Sequence, residues 1–259
     1  MTAPIITLTT DFGEADSYVA AMKGVILSIN PAARLVDLSH QIPPQDVLHA
    51  ALFLAGAVPC FPSGTLHLVV VDPGVGTERA LVYAELGKQR LLAPDNGVLT
   101  LVERSLGVHR LFRLTESRYW GTNVSSTFHG RDILAPVAAH LSLGISPEAL
   151  GPALTELHRL EFPEPRVAGT CICGEVIDID RFGNLITNIP ASLFAEGAGF
   201  LAEVCGRTAR SVRTYGMASS GELVVVVSSS GLLEVAVTQG NAASELGATR
   251  GDAVLIRFE

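Results

Sequence analysis

Short β-branched runs alternate with segments of helical apolar spacing over the first two thirds of the chain. Residues 5–9, 35–38, 66–71, 81–85 and 110–113 have the alternating or continuous apolar character of strands. Between the first three of these lie 17–28 and 46–58, where apolar side chains recur at helical intervals. Strands separated by covering helices predict an α/β fold with a mostly parallel sheet. A further helix is expected over 133–141, and Ser146-Pro147-Glu148 reads as the start of a short one.

The pattern changes after Phe162-Pro163-Glu164-Pro165, a stretch without regular period. The chain is therefore expected to divide near residue 165, into domains spanning 1–162 and 166–259. Beyond the boundary, strand-like runs at 174–180, 200–204, 223–228, 232–237 and 253–258 are separated by glycine turns. They predict a small antiparallel β domain or barrel.

Composition narrows the class. Of 259 residues, 48% are apolar and 17% charged, enough apolar surface for a packed core and too much for a disordered chain. A net charge of −8 argues against a nucleic-acid partner, because duplex binding needs clustered Lys and Arg. The N-terminal run MTAPIITLTT has no basic region followed by an apolar core and cleavage site, so a cytoplasmic location is expected. The most apolar stretches, 50–58 and 223–227, are too short to span a bilayer, so no membrane partner is expected either. Cys60, Cys171, Cys173 and Cys205 lack the paired spacing with histidine that builds a zinc site, and they read as reduced thiols.

The side chains that carry chemistry collect where strands end. The first strand runs into Thr9-Thr10-Asp11-Phe12-Gly13, which puts a carboxylate at the C-terminal edge of a parallel sheet, where open α/β folds bind ligands. There Asp11 either grips a ribose diol or caps the helix that follows. The third strand ends in Asp72-Pro73-Gly74-Val75-Gly76-Thr77-Glu78-Arg79. This loop has neither the glycine spacing of a dinucleotide fingerprint nor the lysine of a phosphate loop. Taken alone it is an ordinary turn with a surface arginine. Ala93-Pro94-Asp95-Asn96-Gly97 and Phe128-His129-Gly130-Arg131-Asp132 are two more polar knots in apolar sequence. His129, just before a helix, is placed to face a pocket; His40, His49, His67, His109, His140 and His158 read as structural or exposed.

In the C-terminal part, Asp180, Phe182 and Asn184 share one strand-and-turn unit. It could hold an ammonium group and a flat base, or be a Gly-Asn hairpin turn with exposed charges. Ser228-Ser229-Ser230-Gly231 and Gln239-Gly240-Asn241-Ala242-Ala243 add hydroxyls, amides and small residues that allow backbone to approach a ligand.

Taken in this order, the segments resemble the S-adenosylmethionine (SAM) hydroxide adenosyltransferases, relatives of the fluorinase and chlorinase that attack the same substrate with halide. The match runs through the Thr-Thr-Asp-Phe-Gly opening, Asp37-Leu38-Ser39-His40, and residues 71–76, 94–97, 128–132, 180–188 and 239–243. It covers nearly the whole chain. The resemblance implies an N-terminal α/β domain and a smaller C-terminal antiparallel β-barrel domain. It also implies a homotrimer, with substrate held between the N-terminal domain of one subunit and the C-terminal domain of its neighbour.

The activity implied is hydrolysis of SAM to adenosine and methionine by water or hydroxide at ribose C5′. SAM is then the substrate, and neither a cofactor nor a metal is expected. By motif position, Asp72, Arg79 and His129 form the triad that marks the hydrolytic members. Asp11 is placed on the ribose hydroxyls, Phe182 and Asn184 on adenine, Asp180 on the methionine ammonium and Ser229 on its carboxylate. Backbone around Asn241 and Ala242 would close the adenine pocket. Gly130 stands where the fluorinase has a halide-contacting serine, which speaks against fluoride but leaves chloride open. A chlorinase of the same fold and a nonenzymatic nucleoside-binding protein are the competing readings.

Overall fold

The first unit is built on strand β1 (Ile5–Thr10), whose residues from Ile6 onward are all buried. A strand covered on both faces reads as a continuous apolar and threonine run, and this one lies inside a six-stranded sheet. After β1 come α1 (Tyr18–Ile29), β2 (Arg34–Ser39), α2 (Val47–Ala57), β3 (Leu66–Val70), β4 (Leu81–Leu86), β5 (Gln89–Pro94), α3 (Thr100–Leu106) and β6 (Val108–Arg113). A π-helical turn, Gly130–Leu134, then leads into α4 (Ala135–Ser142). The strand order is β2-β1-β3-β5-β4-β6; the first four run parallel, and β4 is antiparallel to both neighbours.

The computed structural model describes residues 3–194 and 199–258, and its contacts divide the chain between Leu160 and Glu161. In the first unit the alternation along β3 decides the layers. Leu66, Leu68 and Val70 join one core with Met22 and Ile26 of α1 and with α4, while Val69 and Val71 join the core containing Ala50 and Leu54 of α2. Each such leucine contributes about 1.5–3 kcal/mol by leaving water. Asp46 caps α2 by accepting the His49 N–H at 2.9 Å.

Two elements of this unit had no counterpart in the sequence pattern. β5 pairs back on β4 through the two-residue turn Gly87-Lys88, with Gly87 at φ 55°. α3 is only seven residues long, below the length at which helical periodicity is readable. The helix expected over 133–141 is split, because its first turn is π-helical.

The second unit contains β7 (Arg166–Ala168), β8 (Cys171–Ile179), β9 (Leu185–Pro190), β10 (Phe200–Val204), β11 (Arg207–Ser211), β12 (Leu223–Val227), β13 (Leu232–Val237), α5 (Ala242–Leu246) and β14 (Ala253–Phe258). β14 pairs with both β10 and β8, so seven of the eight strands close into a barrel and β7 lies outside along β8. Closure removes exposed strand edges. The pairings are antiparallel except for β11 with β12, which is parallel at Arg210/Val224 and Ser211/Val225. The expected antiparallel barrel is thus present, with one parallel pair in it. The chain between these strands crosses over through residues 212–222, whereas an antiparallel pair can be joined by a tight turn.

Among the described residues no helix is long and apolar enough to cross a membrane, and all four cysteines are free.

Candidate functional site

Asp72, Arg79 and His129 meet in the first unit. Asp72 follows the buried end of β3, and Asn96 Nδ2 donates to the Val71 carbonyl at 2.9 Å, fixing the strand end next to it. The Asp72-Pro73-Gly74 turn closes through Val75 N to Asp72 O at 3.2 Å and Thr77 N to Gly74 O at 3.1 Å. This folds the loop back and lays Arg79 beside Asp72. Arg79 Nε donates to Asp72 Oδ1 at 3.0 Å and Oδ2 at 3.1 Å, and Nη2 donates to Oδ2 at 2.6 Å. Such a charged fork fixes both planes at once. The two side chains are 11% and 6% exposed, so water screens the pair little.

The same Nη2 lies 2.7 Å from His129 Nδ1. A guanidinium can only donate, so Nδ1 accepts and the neutral ring carries its proton on Nε2. Burial, and then the Arg79 charge, push the imidazole below its ordinary range, against smaller opposing pulls from Asp72 and Asp132. His129 is thereby held neutral near pH 7, with Nε2–H as a donor.

His129 reaches this place because Gly130 packs directly on β3 and α1: a Cβ there would stand 3.1 Å from Val70 Cγ1 and 3.3 Å from Met22 Sδ. The preceding loop is tied by Asp132, which accepts from Ser125 N at 2.8 Å. Burial alone would raise the Asp132 carboxyl, but Arg131 and the Ser125 N–H hold it below the usual carboxylate range. Against this loop rests Gly76, at φ 79°, where a Cβ would lie 2.5 Å from Ser126 O.

Asp11 leaves β1 and accepts the Gln45 N–H at 2.8 Å through Oδ2, holding Gln45 at φ 65°. Phe12, next to Asp11, meets Phe128, next to His129, edge-on at 5.7 Å between ring centroids, and Tyr18 touches both at 5.4 and 5.3 Å. The aromatic triangle joins the segment carrying Asp11 to the one carrying His129. The sequence reading assigned it no role, although both phenylalanines lie inside the quoted motifs. His40 is likewise structural but not idle: it is buried, with Nδ1 2.9 Å from Thr10 Oγ1 and Nε2 2.9 Å from Asp37 Oδ1, and its carbonyl accepts Gly13 N–H at 2.7 Å. It braces the turn that presents Asp11.

In the second unit, Asp180, Phe182 and Asn184 share one turn. Asp180 Oδ1 accepts from Phe182 N at 2.8 Å and Asn184 N at 2.9 Å, and Oδ2 accepts from Asn184 Nδ2 at 2.9 Å. The carboxylate thus builds the turn and leaves Phe182 74% exposed, an unusual cost for a phenyl ring. Asn241 caps α5 by accepting Ser244 N at 2.7 Å, and Ala243 N donates to Gly183 O at 2.9 Å, so the segment holding Asn241 and buried Ala242 packs on that turn. Ser229 is exposed in the turn between β12 and β13 and makes no hydrogen bond to either segment among the described residues. Glu234 on β13 is buried, accepts from the Tyr215 hydroxyl, and is raised in pKa by burial with a contribution from the Asp180 charge. Sequence spacing gave no sign of that pair.

Among the described residues no group of three or more His, Cys, Asp or Glu side chains is placed to hold a metal ion.

The geometry can be set against known proteins. The model of the SAM hydroxide adenosyltransferase N-terminal domain matches residues 6–151, and that of the C-terminal domain matches 174–255. An (R)-S-adenosyl-L-methionine hydrolase of Salinispora tropica is 43% identical over 252 residues, 96% of each chain. A fluorinase of an Actinoplanes species is 30% identical over 213 residues, 72% of each chain. The crystal structure of an uncharacterized conserved protein from Thermotoga maritima has a TM-score of 0.90 at 38% identity, covering 98% of this chain and 99% of that one. With both domains matched in order and near full-length identity to a hydrolase, this chain belongs to the SAM hydroxide adenosyltransferase family.

Proposed function

We propose that the protein hydrolyses S-adenosylmethionine to adenosine and methionine by attack of water or hydroxide at ribose C5′. The observation that carries this reading is the Arg79 fork, which holds Asp72 and His129 together in a poorly hydrated site. Membership of the family and the identity to a hydrolase support it.

The chemistry asks little of an acid, because a sulfonium leaves as a neutral thioether. What it needs is a nucleophile. His129 Nε2–H can hold the attacking oxygen by donation, and Arg79 stabilises hydroxide as it develops. With Nδ1 engaged by Arg79, His129 cannot accept the water proton without breaking that bond. We therefore assign the proton to Asp72, which has a lone pair left after its three bonds from Arg79. General-base help of this kind is worth roughly 10²–10⁴-fold.

Asp11 would bind the ribose hydroxyls through the oxygen not held by Gln45. Phe182 and Asn184 would take adenine, Asp180 the ammonium, Ser229 the carboxylate, and the backbone at Asn241 and Ala242 would close the base pocket. In this reading the enzyme is cytoplasmic and requires no cofactor or metal. It assembles as a homotrimer whose sites combine residues of neighbouring subunits; sedimentation giving an active monomer would remove that part.

The test is chromatography of purified protein with SAM in chelator-treated buffer, with and without chloride. The name of the Salinispora relative specifies the R sulfonium, so both epimers are supplied. Adenosine and methionine in equal amounts are expected. A 5′-chlorinated nucleoside would favour the halogenase reading, and no turnover of either epimer would favour a binding protein.

A further inference from the structure

Beside the triad, within the first unit, opens a pocket of about 360 Å³ whose polar lining comes from Arg79, Arg113, Thr115 and His129. Guanidinium groups can only donate hydrogen bonds, and His129 in the tautomer fixed by Arg79 offers Nε2–H. No carboxylate lines the pocket, its apolar walls include Leu114 and Ile133, and Arg113 and Thr115 are exposed. Trp120 lines the pocket with its ring, while its Nε1 is buried without a hydrogen-bond partner and does not open onto the cavity. Arg113 makes no ion pair among the described residues. Arg79 commits Nε and Nη2 to Asp72 and His129, which leaves Nη1 free to face a ligand. The net charge of −8 does not oppose this locally, since charges beyond about 8–10 Å are largely screened at physiological salt.

We propose that this pocket binds a small monovalent anion and that its occupancy restrains the triad. None of the residues assigned to ribose, adenine or methionine lines it, whereas Arg79 and His129, assigned to the nucleophile, do, so the pocket adjoins the reacting centre without overlapping the groups that hold SAM. An anion here neutralises the guanidinium that stabilises developing hydroxide. Turnover then falls while the KM for SAM is unchanged. That consequence rests on the hydrolase reading; the binding itself does not.

Trp120 is the only tryptophan of the chain, so emission excited at wavelengths beyond the absorption of the four tyrosines reports on this pocket. Sodium nitrate is titrated into the unmodified protein and into Arg113→Gln. The expected result is saturable quenching in the parent, with half-saturation raised at least tenfold in Arg113→Gln, and a fall in turnover with the same half-saturation as the quenching. Linear quenching, or saturable quenching identical in both proteins, overturns the anion site. Should Arg113→Gln fold poorly, chloride-35 line widths on the parent serve instead: broadening by the protein that nitrate reverses supports the site, and no broadening overturns it. Saturable, Arg113-dependent quenching in a protein that never forms adenosine would refute the hydrolase reading and leave the anion site standing. Adenosine formation with linear quenching would refute the anion site alone.

Discussion

Replacing Gly76 with alanine changes one methyl group and is expected to uncouple the triad. At φ 79°, an L side chain costs about 1–2 kcal/mol through contact with its own backbone. The new Cβ would also lie 2.5 Å from Ser126 O, where roughly 3.3 Å is needed, so the loop must yield by roughly 0.8 Å. Ser126 stands three residues before His129, whose Nδ1 is 2.7 Å from Arg79 Nη2; the same shift would open that contact to roughly 3.5 Å, where a hydrogen bond is nearly lost. A bond to a charged group contributes about 1.5–3 kcal/mol, so turnover should fall roughly 10- to 100-fold. Stability should fall by about 2 kcal/mol, a drop of roughly 4–8 °C in melting temperature for a unit of this size. Gly64→Ala is the control: Gly64 has φ 80° and nothing within 4 Å of its added Cβ. It should lose the backbone part of the stability and keep its turnover. Melting curves and single-turnover chromatography on both variants give the comparison. If Gly76→Ala melts lower yet turns over within twofold of the parent, the packing of the two loops does not set the triad geometry.

Arg79→Lys keeps the charge but cannot span Asp72 and His129 together, so turnover should drop by about 10²-fold with calorimetric SAM affinity little changed; parental turnover would show that charge alone suffices. Asp11→Ala should raise KM first, because a carboxylate gripping two hydroxyls acts on ground and transition states alike; an unchanged KM would remove Asp11 from the ribose. His67 is fully buried, with Nδ1 2.8 Å from Thr7 Oγ1, and burial lowers its pKa from 6.5 to about 4. The unfolded chain therefore binds a proton that the native state refuses: stability is full above pH 6.5 and declines by about 3 kcal/mol as pH falls toward 4. Urea melts at several pH values should show His67→Gln with a shallower slope than the parent over that window, and equal slopes would show that His67 is not the group responsible.

Strand ends bearing Asp11 and Asp72 were legible in the sequence, because a buried strand announces itself by β-branched runs and its C-terminal edge is where the first polar residues follow. The helices at 17–28 and 46–58 were legible for the same reason: their apolar spacing repeats over three turns. β5 and α3 were not, since a two-residue turn and a seven-residue helix are too short to impose a period. The parallel pairing of β11 with β12 also lay outside the pattern, because direction depends on how the 212–222 connection crosses the barrel. Residue types at 72, 79 and 129 can be read in order, but separation along the chain carries no distance. Tertiary folding decided that one guanidinium reaches both Asp72 and His129, and thereby which imidazole nitrogen holds the proton. It also decided that the Asp180 carboxylate builds its own turn, and that Arg113, Trp120 and Arg79 line one pocket. Local sequence fixes conformation and burial, whereas partners from distant segments are set only when packed layers bring them together.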